Sequence, residues 1–214
     1  MNRKAKLLLV DDHAVVRAGF RLLLAASPNI DVVAEAERGE RALQLYQESR
    51  PDIVVMDLSM PGIGGLETIR RIVQRDAAAN ILVFSVHNEQ VYVHRALKAG
   101  AKGYITKNSA PDILSAAIET ILDGRTYIEE GLVHDASDQA ARHDCREIMG
   151  TLSAREFDVF RLLAKGLTGH KIAEELCLSY KTVANYSTQI KKKLHVSSVA
   201  ELARIASALG VMEY

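Results

Sequence analysis

Asp11-Asp12, Asp57, Ser85 and Lys107 are the residues of this chain whose types and spacing suit chemistry. They stand at or just past the ends of short apolar runs: Lys6 to Val10, Ile53 to Met56, Ile81 to Phe84 and Gly103 to Ile105. Three carboxylates converging on one point repel one another and need a cation to coexist. A hard divalent ion with oxygen ligands, Mg²⁺, resolves that conflict. It also neutralises an incoming phosphoryl group, and a lysine and a hydroxyl complete the cage. One Asp at a strand end is ordinarily a helix cap or a solvated turn residue. Five polar residues at four strand ends of one sheet make a site.

Those residues meet only if the runs are strands of one sheet. The chain of 214 residues is long enough for two domains. Between the runs, apolar residues recur at helical spacing over Ala14–Ala26, Glu40–Ser49, Gly65–Gln74, Glu89–Ala99 and Pro111–Leu122, with a further strand at Ile30–Ala36. Ser27-Pro28-Asn29 stops the first helix, and Gly100 stands where a left-handed cap is expected. Five β-α units with continuous apolar strands predict an α/β fold, a doubly wound five-stranded parallel sheet with helices on both faces. In such a sheet the ligand site lies beyond the carboxyl ends of the strands.

Leu9-Val10-Asp11-Asp12-His13, Val54 to Gly62, Phe84-Ser85 and Gly103 to Lys107 resemble the receiver domain of two-component response regulators, a flavodoxin-like fold. The likeness runs from about Lys6 to Gly124, which places the receiver at 1–124. It implies that Asp57 is the phosphoacceptor, and that Mg²⁺ is bound by Asp12, Asp57 and the Ser59 carbonyl, with Asp11 holding a metal-bound water. By the same resemblance Lys107 contacts the phosphoryl oxygens, Ser85 turns towards the phosphate and Tyr104 follows by changing rotamer. Ser59 and His87, two residues past Asp57 and Ser85, occupy positions that in the family the chain resembles tune phosphoryl lifetime. A phosphatase of the haloacid dehalogenase type also carries a nucleophilic Asp after a strand, but needs a second Asp where Ser59 stands. The chain is therefore expected to be a switch and not an enzyme with an external substrate.

Between Arg125 and Gly150 the periodicity weakens and acidic residues accumulate, so 125–150 reads as a linker, with a short helix through Gln139 to Ile148. His134, His143 and Cys145 lie there beside Asp135, Asp138 and Asp144, at spacings that match no metal-ligand pattern.

Residues 151–214 read as four helices. Ser153-Ala154-Arg155-Glu156 and Ser198-Val199-Ala200-Glu201 are capping boxes, and Ser179 can cap a helix through Leu194. A short helix from Thr168 to Leu176, a turn at Cys177-Leu178 and that longer helix suggest an all-α four-helix domain containing a helix-turn-helix. Lys171, Lys181, Lys191, Lys192 and Lys193 gather on or beside the reading helix. Leu152 to Glu156, Leu163 to Leu167, Lys171-Ile172-Ala173, Leu178-Ser179, Lys181-Thr182-Val183 and Lys193 to Val196 are similar to the LuxR-type DNA-binding domain. Joined to a receiver, this resembles a regulator of the NarL/FixJ type. Ala184 and Tyr186 depart from the lysine and histidine usual there. Base reading accordingly falls to Asn185, Thr188 and Gln189. Lys181, Thr182, Lys191 and Lys192 are expected to hold phosphates, and Lys171 is a further expected DNA-binding residue.

The resemblance implies a histidine kinase as phosphodonor partner, double-stranded DNA as target, a homodimer on phosphorylation or DNA binding, and RNA polymerase as a further partner. The N-terminus lacks the long apolar stretch of a secretory signal and no stretch is long enough to span a bilayer, so the protein is expected in the cytoplasm, away from membranes. The 27 basic and 27 acidic residues cancel overall, yet not by segment. Residues 1–124 hold 15 of each, 125–150 hold 3 basic and 6 acidic, and 151–214 hold 9 and 6. One expectation is that the acidic connector shields the basic end, so that neutralising Glu129, Glu130, Asp135 and Asp138 raises basal DNA affinity.

Overall fold

A computed structural model describes residues 3–25, 27, 29–109, 111–132, 151–209 and 211. The chain divides into two compact units, Met1–Val133 and His134–Tyr214.

In the first unit, β1 (Ala5–Val10), β2 (Ile30–Ala36), β3 (Ile53–Met56), β4 (Ile81–Ser85), β5 (Gly103–Thr106) and β6 (Tyr127–Ile128) alternate with α1 (Ala14–Ala25), α2 (Gly39–Ser49), α3 (Gly65–Arg75), α4 (Gln90–Ala99) and α5 (Pro111–Leu122). The sheet is parallel, in the order β2-β1-β3-β4-β5-β6. Continuous apolar runs become strands buried on both faces, and Leu7–Val10, Ile53–Met56 and Ile81–Val83 are all sealed from solvent. Phe20 and Leu24 of α1, with Leu114, Ala117, Ile118 and Ile121 of α5, pack against Leu7, Leu9, Ile53, Val55, Leu82 and Ile105 in one core. Phe20 meets Phe84 edge-on, with ring centroids 4.5 Å apart. Helices α2, α3 and α4 pack in sequence beside one another. The strand order reverses between β2-β1 and β3-β4, so the switch point opens at the carboxyl ends of β1 and β3.

Two glycines shape the connections, Gly65 at the carboxyl ends of the strands and Gly100 at the opposite end. A Cβ on Gly65 would lie 2.1 Å from the Asp57 carbonyl oxygen, so only glycine lets α3 begin so close to the β3 loop. Gly100 ends α4 in the expected left-handed conformation, at φ 107°, its N–H donating to Ala96 and Leu97 carbonyls.

The sheet has six strands where the sequence predicts five. The sixth is two residues long, too short to show a period, and it pairs Tyr127 with Gly103 and Ile128 with Tyr104. The first unit therefore runs past residue 124, and residues 125–132, expected in the linker, belong to it. The predicted helix through Gln139 to Ile148, and His134, His143, Cys145 and their neighbouring aspartates, lie outside the described residues.

The second unit holds α6 (Ala154–Ala164), α7 (Gly169–Glu175), α8 (Tyr180–Lys193) and α9 (Val199–Ala208). Both predicted capping boxes form: Ser153 accepts from the Glu156 N–H and Ser198 from the Glu201 N–H, each glutamate returning to its cap amide. Ser179 caps α8 by accepting from the Thr182 N–H at 3.0 Å. Phe157, Phe160, Leu162, Ile172, Val183, Ile190, Leu194 and Leu202 form the buried interior of the four helices.

Candidate functional site

The carboxyl ends of β1, β3 and β5 deliver four of the expected residues to one point. Asp57 follows β3 and Asp11 follows β1, and both are buried; Asp12, partly exposed, comes next. The Lys107 ammonium, one residue past β5, sits between the two buried acids, 2.7 Å from Asp11 Oδ2 and 2.8 Å from Asp57 Oδ2. Each acid has local support: His13 N–H donates to Asp11 Oδ1 at 2.8 Å, and Ser59 N–H to Asp57 Oδ1 at 3.2 Å. Arg17 donates to the Asp11 carbonyl at 2.6 Å and reaches Glu35 with its Nε, tying α1 to the acidic loop.

Burial pushes the Asp57 carboxyl above its ordinary range, against the pull of Lys107, and the Asp11 charge adds to the push. Burial also opposes the charge on Lys107, but Asp57 and Asp11 outweigh it and hold the ammonium above its ordinary range. One ammonium thus contacts two carboxylates, with a third, Asp12, beside them. Ligand atoms of Asp11, Asp12, His13 and Asp57 lie within 4.8 Å of one another. Three hard oxygen donors with surplus negative charge, two of them already buried, suit a divalent cation of the Mg²⁺ class. His13 was not among the expected ligands. Its Nδ1 is 2.8 Å from Asp12 Oδ1, and its place directly after Asp11-Asp12 was the available signal.

Ser85 and Tyr104 come together one layer away. Ser85 Oγ accepts from His87 N–H at 3.3 Å, and the buried Tyr104 hydroxyl donates to the His87 carbonyl at 2.8 Å. Burial holds the Tyr104 phenol above its ordinary range, so it stays a donor. His87 Nε2 lies 2.8 Å from Ser59 Oγ, and its ring stacks on Tyr92 of α4 with centroids 3.9 Å apart. The two positions assigned to phosphoryl lifetime are thus in direct contact, across 28 residues of chain.

The second unit offers a different surface. Along α8, Lys181, Ala184, Asn185, Thr188, Gln189 and Lys192 are all exposed, whereas Val183, Ile190 and Leu194 are buried. Spacings of 3, 4, 7, 8 and 11 residues put the exposed set on one helix face, opposite the buried set. Thr182 and Lys191, half-buried, flank it, and Lys171 is exposed on α7. Two hydroxyls are engaged locally: Thr182 Oγ1 lies 2.7 Å from Ser179 Oγ, and Thr188 Oγ1 donates to the Ala184 carbonyl at 3.0 Å. Cys177, at φ 51°, turns the chain from α7 into α8, and the Leu178 N–H closes onto the Ala173 carbonyl.

Lys193 leaves the basic cluster. Its ammonium is 2.7 Å from Glu156 Oε2 and donates to the Thr151 carbonyl at 3.2 Å, so it braces α8 against α6. Burial opposes the Glu156 charge, but Lys193 and the Ser153 amide hold its carboxyl below the ordinary range. A depressed carboxyl contributes stability above its unfolded value, about 4.3, and loses it as pH falls through the folded one. Lys193→Ala should therefore cost about 1–3 kcal/mol at neutral pH by stranding Glu156. Thermal melts should show that difference shrinking below about pH 4. A difference constant from neutral to strongly acidic pH would remove Glu156 from the account.

Residues 7–119 match the family model described as "Response regulator receiver domain", and residues 150–206 that described as "Bacterial regulatory proteins, luxR family". The transcriptional activator protein ExaE of Pseudomonas putida is 43% identical over 208 residues, covering 96% of this chain and 97% of that one. Among solved structures, the RcsB response regulator of Salmonella typhimurium, described in terms of conformational dynamism for DNA interaction, is 25% identical with a TM-score of 0.68, over 97% of this chain and 98% of that one. A structure of two RcsB dimers bound to two parallel DNAs is 26% identical with a TM-score of 0.59, over 97% and 100%.

Proposed function

The chain belongs to the two-component response regulators that join a receiver to a LuxR-type DNA-binding domain, and we propose that a phosphoryl group on Asp57 controls its binding to DNA as a dimer. One observation carries the reading: a buried carboxylate at a strand end, 2.8 Å from a lysine ammonium and surrounded by further acids, on the same chain as a helix-turn-helix with an open polar face.

Asp57 Oδ attacks phosphorus of a kinase phosphohistidine or a small acyl phosphate; the new O–P bond forms as the P–N or P–O bond breaks, and the imidazole or carboxylate leaves. Asp12, Asp57 and the Ser59 carbonyl, with Asp11 beside them, would hold Mg²⁺, which would supply charge neutralisation. Lys107 holds its ammonium where phosphoryl oxygens arrive, and Asp57, kept in place by Ser59 N–H and Lys107, presents its nucleophilic oxygen. Ser85 and Tyr104 register the product: the hydroxyl turning towards phosphate must let go of His87 N–H. The chain turns over no external substrate; it is a switch. Phosphorylation shifts its population only by the difference in phosphoryl contacts between two states.

On DNA, α8 lies in the major groove with Asn185, Thr188 and Gln189 at base edges. Lys171, Lys181, Thr182, Lys191 and Lys192 hold phosphates. Membership of the response-regulator family is what supports a cytoplasmic site of action with a histidine kinase and RNA polymerase as partners; among the described residues no helix is long and apolar enough to cross a membrane.

The test is genome-wide DNA capture with and without an acyl phosphate, followed by affinity measurements on the recovered sites. Phosphodonor should raise occupancy at defined sites. Lys192→Ala should weaken all sequences alike and lower the salt slope by about 1. Occupancy indifferent to phosphodonor would overturn the switch, and an unchanged salt slope would remove Lys192 from the phosphate contacts.

A further inference from the structure

Beyond Ile128 the sheet has no residue of β6 to receive the next N–H of β5. Glu129 fills that place. Its own N–H donates to the Tyr104 carbonyl at 3.0 Å, continuing the ladder by one bond. Its side chain then turns along the strand, and Oε2 accepts from the Thr106 N–H at 2.7 Å and lies 2.7 Å from Ser109 Oγ, whose single proton is shared with the Thr106 carbonyl, also 2.7 Å away. Thr106 and Ser109 bracket Lys107, whose own N–H is bound on the other side to the Ser85 carbonyl at 2.8 Å. The backbone that carries Lys107 is thus clamped from β4 on one edge and by one carboxylate oxygen on the other. Bonds to an ionised acceptor are about twice as strong as neutral ones, and Glu129 is half-buried, whereas its neighbour Glu130 is exposed.

We propose that Glu129 is a positioning residue for Lys107: by pinning Thr106 and Ser109 it sets the ammonium between Asp11 and Asp57. The inference rests on Asp57 as phosphoryl acceptor and adds a residue to that reaction which touches none of the reacting atoms. It also replaces the expectation that Glu129 acts as part of an acidic shield. A carboxylate already holding two donors is committed to the receiver strand.

The full chain with Mg²⁺ and acetyl phosphate supplies the test, read as the rate of mass gain at Asp57 and as hydrogen exchange at the Thr106 amide. Glu129→Ala should slow uptake about tenfold and speed Thr106 exchange by a similar factor, because a displaced catalytic group loses rate steeply with distance. Glu129→Gln retains an oxygen that can accept both donors, and should stay within about twofold of wild type, as should Glu130→Gln. Ser109→Ala leaves the Thr106 N–H on Glu129 but removes the Ser109 hydroxyl from both Glu129 and Thr106, and should give an intermediate rate; it decides the matter if Glu129→Ala does not fold. Uptake by folded Glu129→Ala at the wild-type rate overturns the positioning role, as does Glu129→Gln being as slow as Glu129→Ala. Wild type failing to gain a phosphoryl group overturns instead the assignment of Asp57.

Discussion

Asp57→Asn should fold, take up no phosphoryl group from an acyl phosphate, and bind DNA only at the unphosphorylated level. The amide oxygen of asparagine can still accept from Lys107 Nζ, which lies 2.8 Å from Asp57 Oδ2, so the contact that holds β3 to β5 survives. The nucleophilic lone pair of a carboxylate does not. The stability side has a definite sign. Burial raises the folded Asp57 carboxyl above its unfolded value of about 3.9, so the folded state binds more protons than the unfolded one. Without metal, stability therefore falls as pH rises through that window, and the ionised Asp57 is a net cost at neutral pH. Asn removes that cost, so the metal-free variant should melt no lower than wild type. Intact-mass measurement reads the uptake, and DNA titration with and without phosphodonor reads the switch. Wild type should gain about 5–150-fold in affinity, the usual range of coupling between two sites. A variant that still responds to phosphodonor as wild type does would sink the assignment.

Lys107→Ala should be the most damaging single change to the receiver. It strands two buried carboxylates, Asp11 and Asp57, that share one ammonium. Removing one partner of a buried ion pair costs about 3–5 kcal/mol, which in a domain of this size lowers the melting temperature by roughly 10 °C or more. The phosphorylation rate should fall about a hundredfold, since a preorganised cation at the incoming phosphoryl oxygens is lost. Mg²⁺ should restore more stability to this variant than to wild type, because the same three carboxylates then have a single source of neutralisation. Melts across a Mg²⁺ titration measure both effects. Equal Mg²⁺ stabilisation of variant and wild type would mean that Lys107 and the cation do not share those carboxylates.

Much of this was legible before any geometry. Strand and helix positions follow from local apolar spacing, and the acidic residues lie where such strands end. Capping boxes at Ser153 and Ser198 and the left-handed cap at Gly100 are four-residue patterns, read within one turn of chain. β6 escaped because two residues carry no period. Lys193 was grouped with the basic face because a lysine at the end of a helix looks the same whether it faces phosphate or a buried acid. Its partner, Glu156, lies 37 residues earlier in the chain.

The sequence by itself therefore determined which residues could do the chemistry, how the chain divides between a phosphoryl-accepting half and a DNA-binding half, and which face of each helix is apolar. Those properties depend on residue type and on neighbours a few positions away. Only the tertiary structure decided which polar and charged groups meet: Lys107 between Asp11 and Asp57, Ser59 against His87, Glu129 on Thr106 and Ser109, Lys193 on Glu156. A charge has no inherent direction or period. Its partner is selected by the packing that removes both from water, and that packing exists only once the sheet and the helices have closed.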